Sequence, residues 1–62
     1  MDGKSPPPVV VCCGSLQIRI TEEGPLWRWE IFRDGEMIQE GGSISLSAAH
    51  RDGQKVARVL DR

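Results

Sequence analysis

Leu26-Trp27-Arg28-Trp29-Glu30-Ile31-Phe32-Arg33-Asp34-Gly35-Glu36-Met37-Ile38-Gln39-Glu40-Gly41 is the stretch whose reading decides the fold. From Leu26 to Arg33 the residues alternate, with Trp27, Trp29 and Ile31 on one side and Arg28 and Glu30 on the other. That is the period of a half-buried strand. The tryptophans strengthen the reading, because aromatic side chains pack well on a pleated surface. Asp34-Gly35 follows, the preferred pair for a two-residue type I′ hairpin turn in which both central residues take positive φ. Such a turn sets Arg33 opposite Glu36, Phe32 opposite Met37, Ile31 opposite Ile38, Glu30 opposite Gln39 and Trp29 opposite Glu40. One face of the expected hairpin then carries Trp27, Trp29, Ile31 and Ile38. The other carries Phe32 and Met37 beside Arg28, Glu30 and Gln39, a mixed surface able to meet another protein.

Working toward the N-terminus, Leu16, Ile18 and Ile20 alternate with Gln17, Arg19 and Thr21, which predicts a second half-buried strand joined to the hairpin by Glu22-Glu23-Gly24-Pro25. Gly14-Ser15 interrupts the apolar run before it, and a glycine inside a strand pattern suggests a bulge or bend that re-aims the Val9 to Cys13 arm. Met1 to Pro8, with three consecutive prolines, reads as a disordered tail of extended polyproline character, leaving residues 9–62 as one domain. Toward the C-terminus, Ser45 or Ser47 can cap a helix by accepting a free backbone N–H. Leu46, Ala49, Gly53, Val56 and Leu60 follow at spacings of three and four, one apolar stripe. Gly53 is expected to let the helix approach a bulky tryptophan on the sheet. The fold class expected is α+β: a three-stranded antiparallel meander with one C-terminal helix packed on one face. The Met37 strand or the Val9 arm would be an open edge, where a second copy could pair to form a homodimer.

The totals limit what such a domain can do. A chain of 62 residues buries only about 60% of the surface its unfolded form exposes. Its core rarely supplies more than about 3–5 kcal/mol, so a stabilising partner is a natural expectation. Eight Lys and Arg stand against nine Asp and Glu, with the signs interspersed. This leaves no basic stripe for nucleic acid; Arg51, Lys55, Arg58 and Arg62 share a helix face but read as its solvated side. The longest apolar run is Val9 to Cys13, far short of a membrane span, and Met1 to Pro8 has neither the basic start nor the apolar stretch of a secretion signal. A cytoplasmic chain without a membrane partner is expected. Cys12 and Cys13 are neighbours, so a disulfide between them would be strained, and free thiols fit a reducing compartment.

Candidate chemistry is sparse. Structural zinc wants four ligands, whereas Cys12, Cys13 and the only histidine, His50, are fewer and dispersed. A soft Cu(I) ion held by Cys12 and Cys13 is the remaining metal option, and it defines the alternative function, a small Cu(I)-binding or metal-delivering protein. Nucleophilic catalysis needs a nucleophile, a base and an orienting group in a water-excluding pocket, for which this chain has little room. No phosphate-cradling glycine pattern, paired-carboxylate signature or cofactor fingerprint is present. No enzymatic activity and no cofactor are expected. Trp27 and Trp29 read first as core residues of a thin-cored domain. Tryptophan and arginine are also the residues most enriched at interface hot spots, so Trp27-Arg28-Trp29 is equally a candidate anchor.

Trp27-Arg28-Trp29, then Ile31, then Gln39-Glu40-Gly41, then Ser43-Ile44-Ser45-Leu46 ahead of an alanine-bearing helix resembles the small D component encoded with soluble methane monooxygenase. That component is similar in role to the accessory proteins of bacterial phenol hydroxylases. The likeness covers Leu26 to Leu60. It implies a non-catalytic cytoplasmic protein that binds a diiron hydroxylase and inhibits it or assists its assembly or regulation, the iron belonging to the partner. It also implies a link to copper-responsive regulation. Trp27, Arg28 and Trp29 carry over as partner-binding residues, followed by Gln39, Glu40, Ser43 and Ser45; Phe32 and Met37 join them from the mixed face of the hairpin. Where the family often has a cysteine the chain has Gly42, so no thiol role carries over to that position.

Overall fold

The computed structural model describes residues 8–61; all but the last residue of the expected Met1–Pro8 tail, and Arg62, lie outside them. Four strands, β1 (Val9–Cys13), β2 (Leu16–Glu23), β3 (Leu26–Arg33) and β4 (Glu36–Ser43), precede one helix, α1 (Leu46–Leu60). The strands form one antiparallel sheet in the order β1-β2-β3-β4. The class is α+β as expected, with four strands where three were expected.

The additional strand is the Val9 arm. Gly14-Ser15 is a hairpin turn, not a bend within a strand: Cys13 pairs directly with Leu16, and Val11 lies opposite Ile18. Gly14 has φ +63°, and a glycine at positive φ in the first central position is what a type II′ turn requires. The same device recurs at Gly24-Pro25, where Gly24 has φ +61° and Glu23 pairs with Leu26. Asp34 (φ 53°) and Gly35 (φ 82°) make the third turn, positive at both positions as a type I′ turn demands. Three consecutive two-residue turns therefore build the sheet. All are of the hand that matches strand twist.

The β3–β4 register follows the expected pairing only for its first two steps. Arg33 faces Glu36 and Phe32 faces Met37, but Ile31 then faces Gln39, Glu30 faces Glu40 and Trp29 faces Gly41, each one residue on from the expected partner. Ile38 is the extra residue of a β-bulge. The cause is Trp29. A Cβ on Gly41 would stand 2.7 Å from Trp29 Cε2 and 2.8 Å from Cη2, so the indole lies flat on a strand position that has no side chain. The uninterrupted register would set Glu40 there instead. The bulge keeps Ile38 packed against the core while bringing Gly41 under the ring.

The core lies between the sheet and α1. Leu16, Ile18, Ile20 and Ile31 are fully buried, Trp29 nearly so, and Val11, Cys13, Trp27 and Ile38 border them. On the helix the buried track is Ala49, Gly53 and Ala57, spaced four apart. Ala49 and Gly53 were on the stripe read from the sequence, and its larger members are less buried than they are. Leu46 is exposed, Val56 and Leu60 are half-buried, and Ala57, outside that stripe, is buried. A narrow track of small residues lets the helix settle close to the strands: a Cβ on Gly53 would be 3.0 Å from Ile18 Cγ2 and 3.6 Å from Trp29 Cβ.

Side-chain hydrogen bonds fix both ends of the helix. Ser45 is the N-cap, its Oγ accepting from the Ala48 N–H at 3.1 Å. Ser43 Oγ, buried at the end of β4, donates to Asp52 Oδ2 at 2.8 Å. At the other end Arg33 donates to the Leu60 carbonyl oxygen at 2.8 Å and Ser15 Oγ donates to Asp61 Oδ1 at 2.8 Å. A guanidinium at the C-terminal carbonyls satisfies groups a helix leaves open and complements its dipole.

Candidate functional site: the outer face of the sheet

Strand alternation leaves the face of the sheet away from α1 with its own set of side chains: Arg19 on β2, Arg28, Glu30 and Phe32 on β3, and Met37 and Glu40 on β4. These residues stand opposite one another in the ladder, Arg19 facing Glu30, Phe32 facing Met37 and Glu30 facing Glu40. Arg19 donates from Nε (3.1 Å) and Nη2 (2.8 Å) to Glu30 Oε1, and its guanidinium carbon lies 5.0 Å from the centre of the Phe32 ring. The cation thus engages a carboxylate and an aromatic face together.

Arg28 is the hub of the same surface. It pairs with Glu40, with Glu23 at 3.4 Å and with Glu30 at 3.5 Å. Glu40 foremost, then Glu23 and Glu30, raise the Arg28 pKa above its ordinary value, against a smaller opposing effect of burial. Three carboxylates meet two guanidinium groups, so the cluster carries one excess negative charge. Exposed pairs of this kind add little stability, because water and salt screen them. Their effect is to hold long side chains in a defined, charged pattern between two apolar exposures, Met37 at 43% and Leu26 at 46%.

The residues expected to bind a partner thus separate into two groups. Arg28, Phe32, Met37 and Glu40 share the outer face, while Gln39 is exposed at the bulge. Trp29 is 7% exposed beneath the helix, Trp27 is half-buried on the same side, Ser43 is buried and bonded to Asp52, and Ser45 is the N-cap. Trp29 Nε1 is buried and has no hydrogen-bond acceptor among the described residues. Arg19 and Glu23 were not in the expected set. The signal for Arg19 was available, since a two-residue turn at Gly24-Pro25 places it opposite Glu30.

Cys12 and Cys13 are free thiols, Cys12 exposed and Cys13 half-buried against the core. Neighbouring residues on a strand point to opposite faces. Their pairing partners, Gln17 on the outer side and Leu16 in the core, agree with this. On β1 the two thiols therefore stand on opposite faces of the sheet. Among the described residues no group of three or more His, Cys, Asp and Glu side chains is placed to hold a metal. No helix among them is long and apolar enough to cross a membrane.

A family model described as methane monooxygenase component D matches residues 23–61, more than half of the chain. The chain belongs to that family. The matched span begins at Glu23, one of the carboxylates around Arg28, and runs through β3, β4 and α1 to Asp61. It therefore takes in the hub of the outer face, the β3–β4 bulge and the helix, and leaves out β1 and nearly all of β2. Component D is by its name part of a methane monooxygenase system. A comparison with curated proteins gave no match.

Proposed function

We propose that this chain is a non-catalytic, cytoplasmic accessory protein that binds the diiron hydroxylase of its monooxygenase system and inhibits it or assists its assembly or regulation. The observation that carries the reading is the outer sheet face. In a component D chain, a patterned surface of Arg19, Arg28, Glu30, Phe32, Met37 and Glu40 lies away from everything the fold itself needs. Aromatic, methionine and arginine side chains are those enriched at protein interfaces. Trp29 and Ser43 lie behind that surface, where they tie β3 and β4 to the helix on the opposite side, and Ser45 caps that helix. The iron sits in the hydroxylase, and the chain supplies no ligand to it.

The test is co-elution of the chain with the purified hydroxylase, followed by turnover with the chain added at increasing ratio. A stable complex and a turnover rate that changes in proportion to its formation are expected. No complex and no rate change at micromolar concentrations would exclude the proposal. Reconstituting the hydroxylase from its apo form with and without the chain separates inhibition from assistance in assembly.

A further inference from the structure

Glycine in a strand interior weakens it, and where it persists a backbone conformation or a close approach usually requires it. Among the described residues, Gly14, Gly24 and Gly35 have positive φ, Gly41 lies under Trp29, and Gly53 lies against Ile18. Gly42 has neither reason. Its φ is not positive, and a Cβ placed there would meet only Leu26 Cδ1, at 3.9 Å. Nothing inside the domain uses the missing side chain.

Gly42 lies opposite Arg28 and so on the outer face. It floors a shallow notch bounded by Gly41, Leu26, Arg28, Glu23 and Glu40. From these features we infer that the notch receives an arginine or lysine side chain of a partner protein, with its aliphatic stem along Leu26 and the bare Gly41-Gly42 backbone and its cationic head between Glu23 and Glu40. The inference rests on the partner-binding reading above and specifies where one contact is made.

Charge selects the occupant. Glu23 and Glu40 both border the notch and share a single cation, Arg28, which Glu30 also engages. An apolar side chain seated there would strip water from carboxylates and return no hydrogen bond, and an acidic one would be repelled. A basic side chain supplies the missing charge, and its methylene stem covers Leu26, a large side chain left 46% exposed. The missing Cβ at Gly42 provides the width for that stem.

Calorimetric titration of the purified hydroxylase with the parent chain, Gly42→Val, and Glu23→Gln combined with Glu40→Gln tests the inference, with a thermal melt of each variant as the folding control. A Cβ at Gly42 makes only ordinary van der Waals contact with Leu26 Cδ1, and valine favours a strand, so this variant should melt no lower than the parent. Affinity should nevertheless fall by about tenfold or more in both variants, the size of loss expected when a seated anchor is displaced. The salt dependence of binding should be shallower in the Gln variant. Parent-like binding by Gly42→Val overturns the notch. Weakened binding by Gly42→Val with unchanged binding by the Gln variant overturns the cationic occupant in favour of an apolar one. Failure of the parent chain itself to bind overturns the partner reading and this inference with it.

Discussion

Gly41→Ala should lower the melting temperature of this domain by about 10 °C or more, whereas Gly42→Ala, one residue along the same strand, should leave it within a few degrees of the parent. The two glycines are adjacent on β4 and alike in sequence, so the contrast isolates what lies over each. A methyl group at Gly41 would enter the Trp29 indole, within 2.8 Å of three of its ring atoms, whereas one at Gly42 has only Leu26 Cδ1 at 3.9 Å. Trp29 cannot simply swing aside. It is packed against Gly53 of the helix and flanked by Ile20 across the sheet. Relief must come from displacing β4 or reopening its register. Overpacking of this kind costs about 1–3 kcal/mol, and a domain of this size holds about 3–5 kcal/mol in all. Thermal melts followed by tryptophan fluorescence read the result directly. Equal melting of the two variants would mean that the bulge is not held by the Trp29 contact.

Phe32→Ala combined with Met37→Ala should reduce affinity for the hydroxylase by about a hundredfold while leaving a folded chain. These two side chains face one another across β3 and β4 on the side away from the helix. Met37 is 43% exposed and Phe32 half-buried under Arg19, so neither belongs to the group of buried residues that stabilise the domain. Removing Phe32 also takes away the aromatic face under the Arg19 guanidinium, worth about 0.5–1 kcal/mol at an exposed site, which the fold can lose. At the partner the loss is greater, because an interface concentrates its energy in a few desolvated aromatic, methionine and arginine anchors. Circular dichroism before titration separates the two effects. A folded double variant that binds like the parent would remove the outer face from the interaction.

The parts of this fold that were legible in the sequence are those set by local chemistry. Asp34-Gly35 identified a turn because both residues must accept positive φ, and they do. Alternation along Leu26 to Arg33 correctly separated Trp27, Trp29 and Ile31 from Arg28 and Glu30. The fourth strand was hidden because Val9 to Cys13 is apolar throughout, giving no alternation, and because Gly14-Ser15 reads equally as a bend or as a glycine-first hairpin turn. The bulge was beyond local reading. Met37-Ile38-Gln39 fits a straight ladder, and only the indole lying on Gly41 displaces it. On the helix the expected stripe was right at Ala49, Gly53, Val56 and Leu60, and it missed Ala57 and placed Leu46 too deep. Leucine and valine mark a stripe more visibly than alanine, but the helix comes close to Ile18 at Gly53, and Ala49, Gly53 and Ala57 form the buried track. The candidate site followed the same division: Arg28, Phe32, Met37 and Glu40 could be named from alternation and resemblance, while Arg19 and Glu23 required the β2–β3 register.

Hydroxyl-radical footprinting of the chain alone and in complex with the hydroxylase asks most directly which face meets the partner. Met37 and Phe32 report on the outer face of the sheet, and His50 reports on the opposite side of the domain, where it shares the helix surface with Arg51, Gln54, Lys55 and Arg58. All three residue types react readily with the radical, so each face carries its own probe. Binding through the sheet predicts that Met37 and Phe32 lose most of their labelling in the complex while His50 keeps its own. Protection of His50 with undiminished labelling of Met37 and Phe32 would show that the helix, not the sheet, is the binding surface.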